Sequence, residues 1–209
     1  MKEEYKKKLN ENEQKEIAEY ILSNFTFNDE LSYLNFCKII YEYVKNVRRD
    51  VNSLKKNIDE IIELFFISGY TNDQVINIIS KEPSLLHEDK NKTFWKLLLL
   101  GKVYNTKSLL SVRDSDFISN PRMFRTSNAV IYARIKYLES EEGKEYLRNK
   151  DFLTKRQIIK CTNEEFENSY KKSKEELLKL FPFDNKAELE IVSWDENKEF
   201  LDNIFGKRI

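Results

Sequence analysis

Pro83-Ser-Leu-Leu86 and Pro121-Arg-Met-Phe124 are one phrase written twice, and each leads into a second apolar-periodic segment. The pairs Leu85/Met123, Leu86/Phe124, Phe94/Tyr132, Leu97/Ile135 and Leu100/Leu138 keep a constant offset of 38 residues. A fixed offset of this size marks stacked helical units, because each unit can bury its apolar face only against its neighbour. Working upstream, Thr71-Asn-Asp-Gln74 is a capping box, in which the threonine hydroxyl and the glutamine side chain each satisfy an orphan amide. The helix it opens must end before Pro83, since proline disfavours helical geometry in the residue before it.

Apolar residues three and four apart carry the helical reading to the amino terminus. Ile17, Tyr20, Ile21 and Phe25 predict an amphipathic helix from Asn12 to about Asn24. Leu31, Leu34, Ile39, Ile40, Tyr43 and Val44 predict a second from about Asp29 to Arg49. A third runs from near Val51 through Ile58, Ile61, Ile62 and Phe65 to Gly69, a residue free to take positive φ. Downstream, Leu153-Thr-Lys-Arg-Gln-Ile-Ile159 restates Tyr70-Thr-Asn-Asp-Gln-Val-Ile76, and Thr162-Asn-Glu-Glu165 is a further capping signal. A charged helix from Tyr170 to Leu180 has the pattern of a terminal repeat, and a last short helix from Asp195 to Phe205 would seal the end.

Composition agrees with an all-α chain: of 209 residues 34% are charged, with only four glycines and three prolines. The longest unbroken apolar run near the centre is Leu97-Leu-Leu-Leu100, far short of the roughly 20 residues a membrane-crossing helix needs. Two cysteines, Cys37 and Cys161, stand in apolar helical text without a Cys-x-x-Cys pair, which excludes a disulfide scaffold or zinc cluster and implies a reducing compartment. Met1-Lys-Glu-Glu-Tyr-Lys-Lys-Lys8 lacks the apolar core of a signal peptide and carries too many acids for a transit peptide, so the expected location is cytoplasmic.

The order short helix, proline, two apolar residues, longer helix ending in Leu or Leu-Gly resembles the repeat of the mitochondrial transcription termination factor (mTERF) family. The matching text is Gly69 to Leu86 followed by Phe94-Trp-Lys-Leu-Leu-Leu-Leu-Gly101, then Asp116 to Phe124 followed by Ile131-Tyr-Ala-Arg-Ile-Lys-Tyr-Leu138. The match covers about residues 57–138, loosely extends to 182, and departs from the family in a longer entry to the second unit and in having few units. The resemblance implies an α-solenoid whose concave basic surface grips nucleic acid. The resulting expectation is a short α-solenoid with three parts: a helical extension at 1–56, mTERF-like repeats at 57–182 and a capping helix at 183–209.

The charge pattern bears on the same partner. Residues 83–138 hold ten Lys or Arg against four Asp or Glu, while 1–82 and 139–209 each carry −3, so a neutral chain contains a basic middle. Such a segment suits a polyanion, DNA or RNA, through phosphate contacts and counterion release. A solvated helix face gives the same excess. The candidate nucleic-acid ligands are Lys96, Arg134, Lys136, Arg122, Arg125, Lys102 and Arg113. Lys96 and Arg134 occupy equivalent positions in the two copies, which would set them one above the other on a stacked surface. Trp95 and Tyr132 could stack bases, though both stand among Leu and Ile as core residues do.

His87, the single histidine, is read as an exposed neighbour of a helix cap beside Glu88 and Asp89. It has no nucleophile motif around it, the few glycines form no phosphate loop, and no His-Glu-x-x-His or paired-acid motif occurs. The chain is therefore expected to have no catalytic residues, no metal, no cofactor and no small-molecule substrate. The second function class is a protein-binding helical adaptor or inhibitor, of the kind a bacterial mobile element directs at a host complex.

Overall fold

The computed structural model describes residues 8–103, 124–148 and 161–184, with side chains excepted at 100–103 and 147. Every regular element among them is helical. The α-helices are α1 (Glu11–Ser23), α2 (Glu30–Val44), α3 (Val51–Ile67), α4 (Asn72–Lys81), α5 (Lys90–Val103), α6 (Asn128–Glu139), α7 (Glu141–Arg148), α8 (Asn163–Tyr170) and α9 (Lys174–Leu180). A 3₁₀ turn spans Pro83–His87. The chain divides into two compact units, residues 1–93 with 113–121 and residues 94–112 with 122–209. The expected extension at 1–56 thus shares its unit with the first Pro83 phrase.

In the first unit, side-chain oxygens set the helix starts. Asn10 caps α1 and Thr71 caps α4, both in full capping boxes, while Asp29 and Asp50 accept from the amides of Ser32 and Ser53. Each such cap is worth about 1 kcal/mol. Gly69, at φ 82°, closes α3: its amide donates to Phe66 and that of Tyr70 to Phe65, a geometry that a side chain would strain. Helices α1, α2, α3 and α4 bury Ile17, Ile21, Phe36, Ile40, Leu54, Ile58, Ile61, Phe65, Val75 and Ile78 against one another. Pro83 starts the 3₁₀ turn instead of prolonging α4, which inserts Leu85 and Leu86 into that core. Burial of each such side chain contributes roughly 1.5–3 kcal/mol. The Asn72 amide ties the α1–α2 turn down, donating to the Thr26 carbonyl at 2.7 Å and accepting from its N–H at 3.2 Å.

The second unit is organised around α6, which is buried from Val130 to Ile135 and again at Tyr137 and Leu138. It packs on α7 and α9. Tyr137, Phe166 and Tyr170 meet ring to ring, with centroids 4.5–6.0 Å apart. The charged helix expected from Tyr170 to Leu180 is shorter: Tyr170 ends α8, and the helix that follows is α9, Lys174–Leu180. Lys171 takes a left-handed φ of 55° and stops α8, and Ser173 with Glu176 forms a capping box that starts α9. At the α6–α7 corner the Tyr137 carbonyl accepts from both the amide and the hydroxyl of Ser140, and Gly143 lies against the same carbonyl. The predicted helix Asp195–Phe205 lies outside the described residues.

Candidate anion-binding cleft

The two cations expected to lead the nucleic-acid surface face inward. Lys96 is 7% exposed and Arg134 1% exposed. Lys96 Nζ donates to the Phe124 carbonyl. Arg134 donates from one nitrogen to the Cys161 carbonyl and from another to Asn163 Oδ1, both at 2.9 Å, with its guanidinium 4.9 Å from the Phe166 ring centroid. Burial pushes the Arg134 pKa down from its ordinary value, with Cys161 and Glu165 opposing. The correction has a physical reason. Where its helical neighbours are buried, the long stem of Lys or Arg is buried with them, and the charged head is then held by whatever carbonyls it can reach.

Of the other expected ligands, Lys136 and Arg125 have described side chains. Lys136 is half-buried, pairs with Glu139 at 3.6 Å and lies 5.8 Å from the Tyr132 ring centroid. Arg125 is exposed on the turn before α6. The side chains of Lys102, Arg113 and Arg122 lie outside the described residues. Tyr132 is buried and Trp95 half-buried, as core residues are.

A different cationic site forms in the first unit, where α2 ends. Its helix stops at Val44, five residues short of the predicted Arg49, because the next turn buries a side chain. The amides of Asn46 and Val47 bond back to the Tyr43 and Val44 carbonyls at 3.1 and 3.2 Å, and Val47 is seated inside at 6% exposure. That seat turns the following pair, Arg48 and Arg49, outward to exposed and half-buried positions. The two acids nearest in sequence have other partners. Glu42 pairs with Lys45 at 2.5 Å, and the Asp50 carboxylate caps α3 on the Ser53 amide at 2.9 Å. Among the described residues neither arginine has an acidic partner within ion-pair distance.

Arg48 and Arg49 line an open cleft of about 430 Å³ together with Tyr43, Asn46, Val47, Ser84 and His87. The Tyr43 hydroxyl and His87 Nδ1 are hydrogen-bonded at 2.9 Å, and their rings are parallel to within 2°. His87 closes the 3₁₀ turn half-buried and bonded, where the sequence reading left it exposed at a helix start. Its pKa is lowered by burial and then by Arg49, against Glu88 and Glu82, so the ring is neutral at pH 7. Burial raises the Tyr43 pKa above its ordinary value, with Arg49 opposing, and the phenol stays protonated. The Ser84 hydroxyl is committed to Glu82 Oε1. What remains available is two guanidinium groups beside a neutral aromatic wall, an arrangement that accepts a planar or phosphorylated anion.

No protein-family model, curated protein or solved structure matches the chain. Sequence reasoning passed over this cleft because it lies in a segment of net negative charge. A signal was present all the same: Arg48-Arg49 is the chain's one Arg-Arg dipeptide, and it falls between a helix end and a capping aspartate.

Proposed function

We propose that the chain is a non-enzymatic helical binding protein whose ligand is nucleic acid, and that the strand is held at the Arg48–Arg49 cleft rather than by Lys96 and Arg134. The observation that carries this reading is a pair of guanidiniums with no acidic partner among the described residues, lining a cleft with parallel aromatic rings. Cations that neutralise phosphates beside rings that can pack on a base are the two components of single-strand recognition. The mTERF-like repeat and its solenoid arrangement belong to the same proposal. They are supported by the equivalence of Lys96 and Arg134, each of which reaches a carbonyl in the turn before the following helix.

Fluorescence anisotropy with short single strands and duplexes of RNA and DNA, at low and at moderate salt, tests it. Affinity of roughly micromolar or better that falls steeply with salt supports the proposal, and no binding at low salt rejects it. Replacing Arg48 and Arg49 together by Glu should remove the affinity while the helical circular-dichroism signal stays.

A second reading, the protein-binding adaptor, draws on α2. Leu31 is 69% and Leu34 54% exposed, with Tyr33 and Tyr41 also exposed nearby. Leu31, Leu34 and Tyr41 recur at helical spacing on one face. A chain that ignores every nucleic acid at low salt leaves this as the reading.

A further inference from the structure

We infer that the cleft takes the phosphorylated end of a strand, a terminal nucleotide bearing a phosphomonoester; this rests on the nucleic-acid reading of the same site. The first argument is size. About 430 Å³ lies within the ordinary range for a small-molecule site, roughly 300–1,000 Å³, and holds one nucleotide where it could not hold a duplex.

The second argument is charge. An internal phosphodiester carries a single negative charge and calls for one guanidinium, whereas a terminal phosphomonoester at pH 7 carries about −1.5 to −2 and offers three acceptor oxygens. The cleft supplies two adjacent arginines, each able to give paired N–H donors to phosphate oxygens. Neither arginine has an acid within ion-pair distance among the described residues; Glu42 pairs with Lys45, and Asp50 accepts from the Ser53 amide.

The third argument is the wall. Tyr43 and His87 are locked to each other by the 2.9 Å hydrogen bond and lie parallel, so a base laid on them meets a surface already ordered. Aromatic stacking of this kind contributes without regard to base identity. His87 is neutral at pH 7 and Tyr43 protonated, so neither ring repels the phosphate. The chemistry shared by a free mononucleotide and a strand end is the same dianionic phosphate on the same sugar, and the test separates the two sources.

The experiment uses the full chain and oligothymidylate of about ten nucleotides, a length within the usual site sizes. The strand is labelled at an internal base and carries a phosphate at the 5′ end, at the 3′ end or at neither. A phosphorylated end should tighten binding by about tenfold over the unphosphorylated strand, as expected for an added charge held by arginine. Thymidine monophosphate should compete, and the ring resonances of His87, the one histidine of the chain, should shift as it is added.

Arg48→Gln with Arg49→Gln should erase the preference for a phosphorylated end. If that double variant loses its helical signal, Arg48→Gln alone, at an exposed position, should reduce the preference in a folded chain. Equal affinity for all three strands overturns the inference and leaves the nucleic-acid reading standing. Binding of no strand at low salt removes that reading and the strand-end inference with it, and a His87 shift with thymidine monophosphate would then assign the cleft to the free mononucleotide.

Discussion

Lys96 and Arg134 in the second unit and Arg48 and Arg49 in the first are four basic side chains with opposite fates. Lys96 and Arg134 each stand seven positions after a helix N-cap, Asp89 and Ser127, among buried apolar neighbours. Each turns inward and donates to a backbone carbonyl, Phe124 or Cys161, in the turn before the next helix. Arg48 and Arg49 follow a helix end, where a buried Val47 anchors the chain and leaves the next side chains nowhere to go but outward. What separates the pairs is the burial of their neighbours. A cation amid apolar text becomes a structural donor, whereas a cation beside a single apolar anchor becomes available to a ligand.

The contrast is broken most severely by removing the inward cation with the more complete set of partners. Arg134→Met should lower the unfolding free energy by about 3 kcal/mol, since it leaves the Cys161 carbonyl and Asn163 without their charged donor. Urea titration checks it, with Arg48→Met as the counterpart, expected to change stability by less than about 0.5 kcal/mol because its site is exposed. Equal losses in the two variants would erase the distinction between the pairs.

Gly143→Ala should come next, at about 2 kcal/mol. A Cβ there would lie 2.9 Å from the Leu138 Cα and closer still to the Tyr137 carbonyl, and neither backbone atom can yield. This variant disturbs the α6–α7 corner without touching a cation, so it calibrates how much of the Arg134 effect is due to the charge. Lys96→Met should be milder, about 1 kcal/mol, because methionine keeps most of the buried stem while the bond to the Phe124 carbonyl is lost. Nucleic-acid affinity should be unchanged in Lys96→Met, which filter binding or anisotropy would check.

The local rules that sequence states well are those the structure honours closely. The Thr71–Gln74 and Thr162–Glu165 boxes form with both arms, Gly69 takes positive φ, and α4 stops at Lys81 before Pro83. Buried members of the offset pairs, Leu86 with Phe124, Phe94 with Tyr132 and Leu97 with Ile135, are core in both copies. Orientation was the illegible part. Equal spacing gives Lys96 and Arg134 matching positions in the sequence, but spacing alone does not say whether such a pair points to water or to a carbonyl. The cleft was hidden for a related reason: Tyr43, Arg48, Arg49 and His87 come together only after α2 and the 3₁₀ turn pack, and their separation in sequence exceeds any local motif. The break at Lys171 was legible in principle, since Ser173-Lys-Glu-Glu176 is itself a capping box.

The smallest effect sharpens the comparison from the ligand side, through His87. The groups facing it are Tyr43 from α2, Arg49 from the turn beyond it, and Glu82 and Glu88 from its own stretch. Burial and Arg49 together lower its pKa in the folded chain below the unfolded value near 6.5, so the unfolded chain binds the proton first as pH falls. The stability that depends on neutral His87 is therefore complete above about pH 6.5 and is lost progressively as pH drops below it toward the lowered folded value. Asp29 and Glu176, whose pKa values are also lowered by hydrogen bonds from Ser32 and Ser173, lose their contributions at more acidic pH, beneath this window. His87→Gln should flatten the decline that sets in below about pH 6.5 while leaving the more acidic fall in place, as urea midpoints across pH would record. The same decline in both chains would mean that the Arg49 field and the burial of the ring have no energetic consequence. Phosphate in the cleft should oppose the decline in the parent chain, because a dianion beside His87 favours its protonated form and offsets the charge of Arg49.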